Sequence, residues 1–257
     1  MHEPSPDRLW AMYVMEFVGS YIILMVIHLA HFFNFSAFAI SLSFLVAVVL
    51  SAKISGANLN AAVTCMLFLN QVKTEKVPYF NYEKFYKFIV AQILGGMAAG
   101  FTAAFIFGPA TLVDIKIYQS FTLSQAFILE FIYTLILCIV VAILCSDAYK
   151  QTHDPTIVGA LVSSSVFLAA MSLGDKTGGV INPSIAISAM LVRKATNSEK
   201  GEIDTLWLYI IAPLCAAFIA HMLYDKVIRP ALLKQHKRQS EMLRQSEILL
   251  RNVAPTA

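Results

Sequence analysis

The sequence predicts an all-α membrane protein, with six transmembrane helices and two re-entrant half-helices in an inverted repeat. Three observations support this fold class. Of the 257 residues, 58% are hydrophobic and only 14% are charged, whereas about a quarter of a soluble domain is charged. The charges are clustered, which leaves apolar runs long enough to cross a bilayer. The two halves of the chain also resemble each other in sequence.

Six apolar segments are long enough, or nearly so, for a hydrocarbon core of about 30 Å. The predicted spans are 10–32, 37–54, 83–108, 123–146, 156–174 and 205–228. The first is expected to stay in the mature protein, because it is too long for a signal peptide, has no basic segment before it and contains Glu16.

Two shorter apolar pieces, near 60–69 and 182–192, are too short to span the membrane. They are predicted to be half-helices that enter the membrane and stop. Irregular backbone at that depth is tolerated only where it lines a cavity or is buried in protein.

The chain divides into a short N-terminal tail over 1–9, a membrane domain over 10–228 and a charged tail over 229–257. Within the membrane domain, the first repeat covers about 10–108 and the second about 123–228. The C-terminal tail has apolar residues at helical spacing among many charges. It is interpreted as an amphipathic helix on the membrane surface, a partner-binding helix or a solvated tail.

The basic residues predict the orientation, because cytoplasmic loops are rich in Lys and Arg. One set of segments contains Arg8, Lys53, Lys73, Lys76, Lys84, Lys87, Lys150 and the basic tail. The opposite set contains only Lys116, Lys176, Arg193, Lys194 and Lys200. We therefore expect an integral multi-pass protein with both termini on the cytoplasmic or equivalent side.

Three blocks match between the halves in the same order. "EFVGSYIIL" from Glu16 aligns with "EFIYTLILC" from Glu130, "SGANLNAAVT" with "TGGVINPSIA", and "AQILGGMAAG" with "APLCAAFIAH". Each half has three spans, an odd number, so the second half must be inverted relative to the first. Inverted repeats place a binding or conduction site near the membrane midplane.

Each half carries one Asn at the start of its half-helix, Asn60 and Asn182. Asn is a preferred N-cap residue, because its side-chain oxygen accepts a hydrogen bond from a backbone N–H of the first turn. The small residues before each Asn suit tight, irregular backbone. The two loops are predicted to enter from opposite faces, meet at the centre and offer backbone carbonyls to a passing solute.

These features together resemble the major intrinsic protein family, the aquaporins and aquaglyceroporins, over about 10–228. The resemblance includes both Asn stretches, Glu16 and Glu130 inside spans, Gln92 in the third span and "TGGVINPS". It implies a homotetramer in the lipid bilayer, with one pore per subunit for water or small neutral solutes. The two Asn amides would donate hydrogen bonds to the solute, and the facing half-helix N-termini would oppose cations and protons.

The two Asn boxes depart from the family pattern of Asn-Pro-Ala. They are Asn60-Ala61-Ala62 and Asn182-Pro183-Ser184. The first box therefore lacks the proline that preorganises the first helical residue. Asn58 stands where the family usually has a pore-lining His in the first box.

The selectivity filter departs further, because Ile185 takes the position of the usual Arg. Aligned by spacing from the two Asn residues, the inferred filter is Ile40, Ala170, Gly179 and Ile185. This set has no charge, no aromatic ring and no side-chain donor. It predicts either poor discrimination among small neutral solutes or a dry hydrophobic constriction that blocks flow.

Two acids and two histidines in the predicted spans are candidates for a functional role. Glu16 and Glu130 occupy matching positions in the repeat and are predicted to accept hydrogen bonds from the Asn loops, with proton transport as the alternative. His28 and His31 are interpreted either as packing residues or as a pH-dependent gate.

Three functional hypotheses follow. The first is a passive channel for water and small neutral solutes such as glycerol, urea or ammonia. The second is a transport-inactive subunit that supports an assembly of non-identical membrane proteins, and the third is an ion-conducting relative. No motif predicts an enzyme, a cofactor or nucleic-acid binding. The four cysteines fall in apolar segments and predict small core residues rather than a metal site.

Overall fold

The computed structural model describes residues 6–30, 36–72, 81–146, 154–196 and 203–253. Within these ranges the regular secondary structure is helical, which confirms the predicted fold class. The helices are α1 (Pro6–Ala30), α2 (Ser36–Ser51), α3 (Ala61–Val72), α4 (Tyr82–Phe107), α5 (Leu123–Leu144), α6 (Pro155–Leu173), α7 (Pro183–Ala195), α8 (Leu206–Leu223) and α9 (Arg229–Val253).

Five helical segments of the described chain are long and apolar enough to cross a membrane. They are Asp7–Ala30, Tyr82–Phe107, Leu123–Leu144, Pro155–Leu173 and Leu206–Ser246. The one remaining predicted span, 37–54, corresponds to α2, which has 16 residues. It ends three residues before the predicted boundary, because the chain turns there and the N–H groups of Ile54 and Ser55 bond to the Ser51 carbonyl.

Local sequence sets where several helices begin. The Asn81 side chain accepts a hydrogen bond from the Lys84 N–H at the start of α4. At the start of α5, Thr122 and Gln125 form a reciprocal capping box. These side chains satisfy N–H groups that have no partner inside the helix.

Helix packing follows the inverted repeat. In each half the first span packs on the third, α1 on α4 and α5 on α8, while α2 and α6 pack on each other. Each half-helix lies against the last span of the other repeat, α3 against α8 and α7 against α4, and α3 also contacts α7. The two repeats are therefore interlocked, and their half-helices meet at the centre of the molecule.

Small residues bring α1 and α4 together. A Cβ atom added at Gly95 would lie 2.2 Å from the backbone oxygen of Phe17. One added at Gly96 would lie 2.6 Å from the Ser188 hydroxyl oxygen of α7. Glycine at these positions lets two helices approach α4 closely, as small residues commonly do between membrane helices.

The charged tail continues the last span. A π-helical turn over Tyr224–Ile228 joins α8 to α9, so the chain is helical to Val253. The described side chains of α9 are largely exposed. The prediction for the cysteines is partly wrong, because Cys145 and Cys215 are exposed whereas Cys138 is buried.

Candidate functional site

Asn60 and Asn182 hold the N-termini of the two half-helices. The Asn182 side-chain oxygen accepts a hydrogen bond of 3.0 Å from the Ser184 N–H. The Asn60 oxygen accepts one of 2.8 Å from the Ala62 N–H. The first box makes this cap without the proline that follows Asn182.

The two Asn amides also join the repeats to each other. Asn60 Nδ2 donates to the Ile181 carbonyl at 3.0 Å, and Asn182 Nδ2 donates to the Leu59 carbonyl at 2.9 Å. An amide nitrogen carries two N–H donors, so each Asn has one more to offer. The space beside them is tight, because Asn60 is 2% exposed and Asn182 is fully buried.

Glu16 fixes the loop before α3 from within α1. One carboxylate oxygen accepts hydrogen bonds from the Ser55 hydroxyl at 2.7 Å and the Asn58 N–H at 3.0 Å. The other accepts from the Leu59 N–H and the Gln92 side chain, both at 2.8 Å. Leu59 has a positive φ of 50°, a conformation that these contacts stabilise.

Glu130 does the same for the loop before α7 from within α5. One oxygen accepts from the Thr177 hydroxyl at 2.6 Å and the Val180 N–H at 3.1 Å. The other accepts from the Ile181 N–H at 2.8 Å, and Ile181 has a positive φ of 43°. Both acids thus bond to the backbone immediately before an Asn. Buried carboxylates that accept several such bonds hold a loop firmly.

A cavity of about 430 Å³ lies beside the second Asn loop and is called the large cavity. The residues inferred as the filter all line it: Ile40, Ala170, Gly179 and Ile185. Ile185 is buried and lies in the first turn of α7. The structure therefore brings Ile40 of the first half together with three positions of the second half.

A second cavity of about 40 Å³, the small cavity, lies beside the first Asn loop and is lined by Asn58 and Asn60. Asn58 Nδ2 is buried and has no hydrogen-bond partner among the described residues, so it has donors to offer in this cavity. Phe44 lines both cavities. Sequence reasoning missed Phe44, although it lies one helical turn after Ile40.

The segment that links the repeats forms a wall of the large cavity, which the sequence did not indicate. Its residues Leu112, Asp114 and Lys116 line the cavity together with Arg193 of α7. A hydrogen bond from Lys116 to Asp114 raises the pKa of the lysine, so it stays charged. The apolar filter lies closer to the centre of the molecule than these charges, because Ile185 is in the first turn of α7 and Arg193 is in its last turn.

The candidates His28 and Lys176 do not line either cavity. His28 is buried, and its Nδ1 accepts a hydrogen bond of 3.1 Å from the Val113 N–H. His31 lies outside the described residues. Lys176 forms an ion pair with its neighbour Asp175 on the surface.

Comparison with known proteins places these features in a family. A family model described as "Major intrinsic protein" matches residues 8–224. An aquaglyceroporin of Plasmodium berghei (strain Anka) is 26% identical over 206 residues, which cover 74% of this chain and 76% of that protein. Aquaporin NIP3-1 of Oryza sativa subsp. japonica is 25% identical over 236 residues, covering 87% of this chain and 70% of that protein.

The fold has a solved counterpart. The X-ray structure of the aquaglyceroporin from Plasmodium falciparum matches with a TM-score of 0.76 at 22% sequence identity. The match covers 87% of this chain and 98% of that chain. Together with the apolar helices, these matches identify the chain as an integral membrane protein.

Proposed function

Because the chain belongs to the major intrinsic protein family, we propose that it is a passive channel for water and small neutral solutes, of the glycerol, urea and ammonia class. The observation that supports this most directly is the pair of Asn-capped half-helices, which meet beside two cavities. The names of two relatives, an aquaglyceroporin and an aquaporin, agree with such solutes. Each chain is proposed to contain one pore, within a homotetramer.

A solute in this channel loses water at the filter and finds new hydrogen-bond partners past it. The filter residues Ile40, Ala170 and Ile185 have apolar side chains, and Gly179 has none. The filter side chains therefore offer no hydrogen bond to replace a lost water. The free-energy cost of such dehydration is largest for ions and smaller for neutral molecules. Past the filter, the second N–H of each Asn amide and the loop carbonyls provide new partners.

The proposed pore also carries an electrostatic barrier at its centre. The N-termini of α3 and α7 meet there, and each helix N-terminus carries a partial positive charge. This arrangement disfavours cations at the centre of the pore and needs no charged side chain there. In this proposal Glu16 and Glu130 support the loops and do not transport protons across the membrane.

The direct test is stopped-flow light scattering on proteoliposomes of the purified protein. An impermeant osmolyte measures water permeability, and glycerol and urea measure solute permeability, against empty vesicles. We expect wild-type vesicles to shrink and re-swell faster than empty ones. Ile185→Arg should lower glycerol permeability by about tenfold or more, because a charged side chain would occupy the filter.

Ile185→Ala is the matched variant, because it widens the same position without adding charge. It should keep or raise glycerol permeability. If both variants kept the wild-type ratio of glycerol to water permeability, Ile185 would not belong to the filter.

A second candidate function is a transport-inactive subunit of a larger membrane assembly. It is favoured by the small volume of the cavity beside Asn60, about 40 Å³, and by the full burial of Asn182. Vesicles with folded, inserted protein would then be no faster than empty ones. Non-identical membrane proteins would also co-purify with the chain.

A further inference from the structure

Arg193 lies on the last turn of α7 and lines the large cavity. It follows Ile185 by two helical turns, about 12 Å along the helix axis. Its Nη1 donates a hydrogen bond to the Leu112 carbonyl, and its Nε lies 3.4 Å from Asp114 Oδ1. Only 13% of the side chain is exposed, so the guanidinium is held at the cavity wall.

Asp114 joins this arginine to a second cation. Its other oxygen, Oδ2, accepts a hydrogen bond of 2.8 Å from Lys116 Nζ. We call Arg193, Asp114 and Lys116 the Arg193 cluster. All three line the large cavity, and together they carry one net positive charge.

The backbone that carries Asp114 and Lys116 is itself fixed. The Val113 N–H donates to His28 of α1, and the Tyr118 N–H donates to the Lys176 carbonyl at 3.0 Å. Arg193 adds a third attachment through Leu112. The linker is thus tied to α1, to α7 and to the turn after α6, which fixes the cluster at the wall of the large cavity.

We propose that the Arg193 cluster is a second selectivity site, separate from the apolar filter, that excludes inorganic cations and binds small neutral solutes through their oxygen atoms. This rests on the proposed channel function. A guanidinium has five N–H donors, and the contacts above use only Nε and Nη1. Within the described residues no hydrogen bond occupies Nη2, so its donors are available to the cavity.

The charge balance explains the selectivity. A fixed positive charge beside a cavity with partly apolar walls repels cations more strongly than it would in open water. Asp114 holds the two cations in place and limits their excess to one charge, so small anions are not strongly attracted. The filter at Ile185 supplies no charge, and the cluster supplies it farther out.

The experiment compares Arg193→Gln with Lys194→Gln in proteoliposomes. Lys194 is the next residue, is exposed and does not line the large cavity, so both variants lose one charge from the same turn. Potassium permeability is measured with a potential-sensitive dye under a potassium gradient. Water and urea permeability are measured by light scattering on the same vesicles.

We expect Arg193→Gln to raise the ratio of potassium permeability to water permeability at least severalfold. The ratio of urea permeability to water permeability should fall. Lys194→Gln should match wild type in both ratios. Arg193→Lys, which keeps the charge, should restore potassium exclusion. Lys116→Gln gives a second variant if Arg193→Gln does not fold. It should raise potassium permeability in the same direction.

The outcomes separate this proposal from the channel itself. Wild-type vesicles conduct water if the channel proposal is right. If Arg193→Gln and Lys116→Gln then exclude potassium as wild type does, the Arg193 cluster is not a selectivity site, although the protein is still a channel. If wild-type vesicles conduct no faster than empty ones, the proposed function fails and this inference fails with it.

Discussion

Two buried carboxylates do the same task in the two halves of the molecule. Glu16 and Glu130 each accept hydrogen bonds from a hydroxyl and from two consecutive backbone N–H groups before an Asn. Those N–H groups belong to backbone that cannot continue a helix, so they have no helical partner. The acids therefore replace the missing backbone partners and hold the loops.

Glu130→Gln tests this role. Glutamine keeps one acceptor oxygen but places an NH2 group where the second oxygen receives an N–H donor, so one buried donor loses its partner. We expect the variant to lose about 1–3 kcal/mol of stability, measured as a lower unfolding temperature in detergent.

Glu83→Gln is the control, because Glu83 is exposed on α4. Its exposed ion pair with Lys87 contributes little to stability, so the variant should shift the unfolding temperature far less than Glu130→Gln. The opposite pattern, wild-type stability for Glu130→Gln with a loss of proton flux across vesicles, would support proton transport by this acid.

Functional residues that match between the two repeats could be predicted from sequence, whereas those without a match could not. Asn182 and Glu130 are identified because Asn60 and Glu16 occupy matching places in the first half. Arg193 has no such counterpart. Its partners, Leu112 and Asp114, lie in the linker, and only the tertiary fold brings the linker to the end of α7.

At the scale of helices, α1 and α4 approach each other closely. The Phe17 backbone of α1 occupies the space where a side chain at Gly95 would begin. Backbone cannot rotate away as a side chain can, so this contact sets the distance between the two helices. The same helix pair carries Glu16 and Gln92, which bond to each other.

Gly95→Ala should therefore destabilise the fold by about 1–3 kcal/mol through overpacking, although alanine favours a helix. The shift of α4 should also weaken the Gln92 contact and lower water permeability. Unfolding in detergent and light scattering measure the two effects.

Gly159→Ala is the matched control in α6. Its added Cβ would first meet the Leu45 side-chain methyl at 2.8 Å, which is able to rotate away. It should cost much less stability than Gly95→Ala. Equal losses in the two variants would mean that side-chain crowding, and not the approach of the α1 backbone, limits these positions.

Element boundaries were predictable where caps or composition mark them. Asn81 and Thr122 mark the starts of α4 and α5, and each structural start lies within one residue of the predicted span. The tail was harder to predict, because its charges suit a surface helix and a solvated segment equally. Its described part is helical because α8 continues through the π-helical turn into α9.

For the whole molecule, the outer surface bears on assembly. Large apolar side chains are exposed on several spans, including Phe105, Met171 and Phe218. Such a surface suits lipid or the faces of identical subunits, and closed symmetry is the common arrangement for copies of one chain. We expect a homotetramer, which native mass spectrometry of the detergent-purified protein would detect.

The position of the cavities predicts how such a tetramer conducts. All four filter residues line a cavity within one chain, so each subunit should conduct without help from its neighbours. Tetramers with equal numbers of wild-type and Ile185→Arg subunits should keep about half of the wild-type glycerol permeability, because closed symmetry gives every subunit an equivalent environment.

Differently tagged subunits, purified over both affinity columns, provide these mixed tetramers for light scattering. Mixed tetramers of wild-type and Ile185→Ala subunits are the control, because they have the same composition but no added charge, and should keep full permeability. A much steeper loss with Ile185→Arg would mean that the conducting path is shared between subunits. The path would then lie at the centre of the assembly rather than past Asn60 and Asn182.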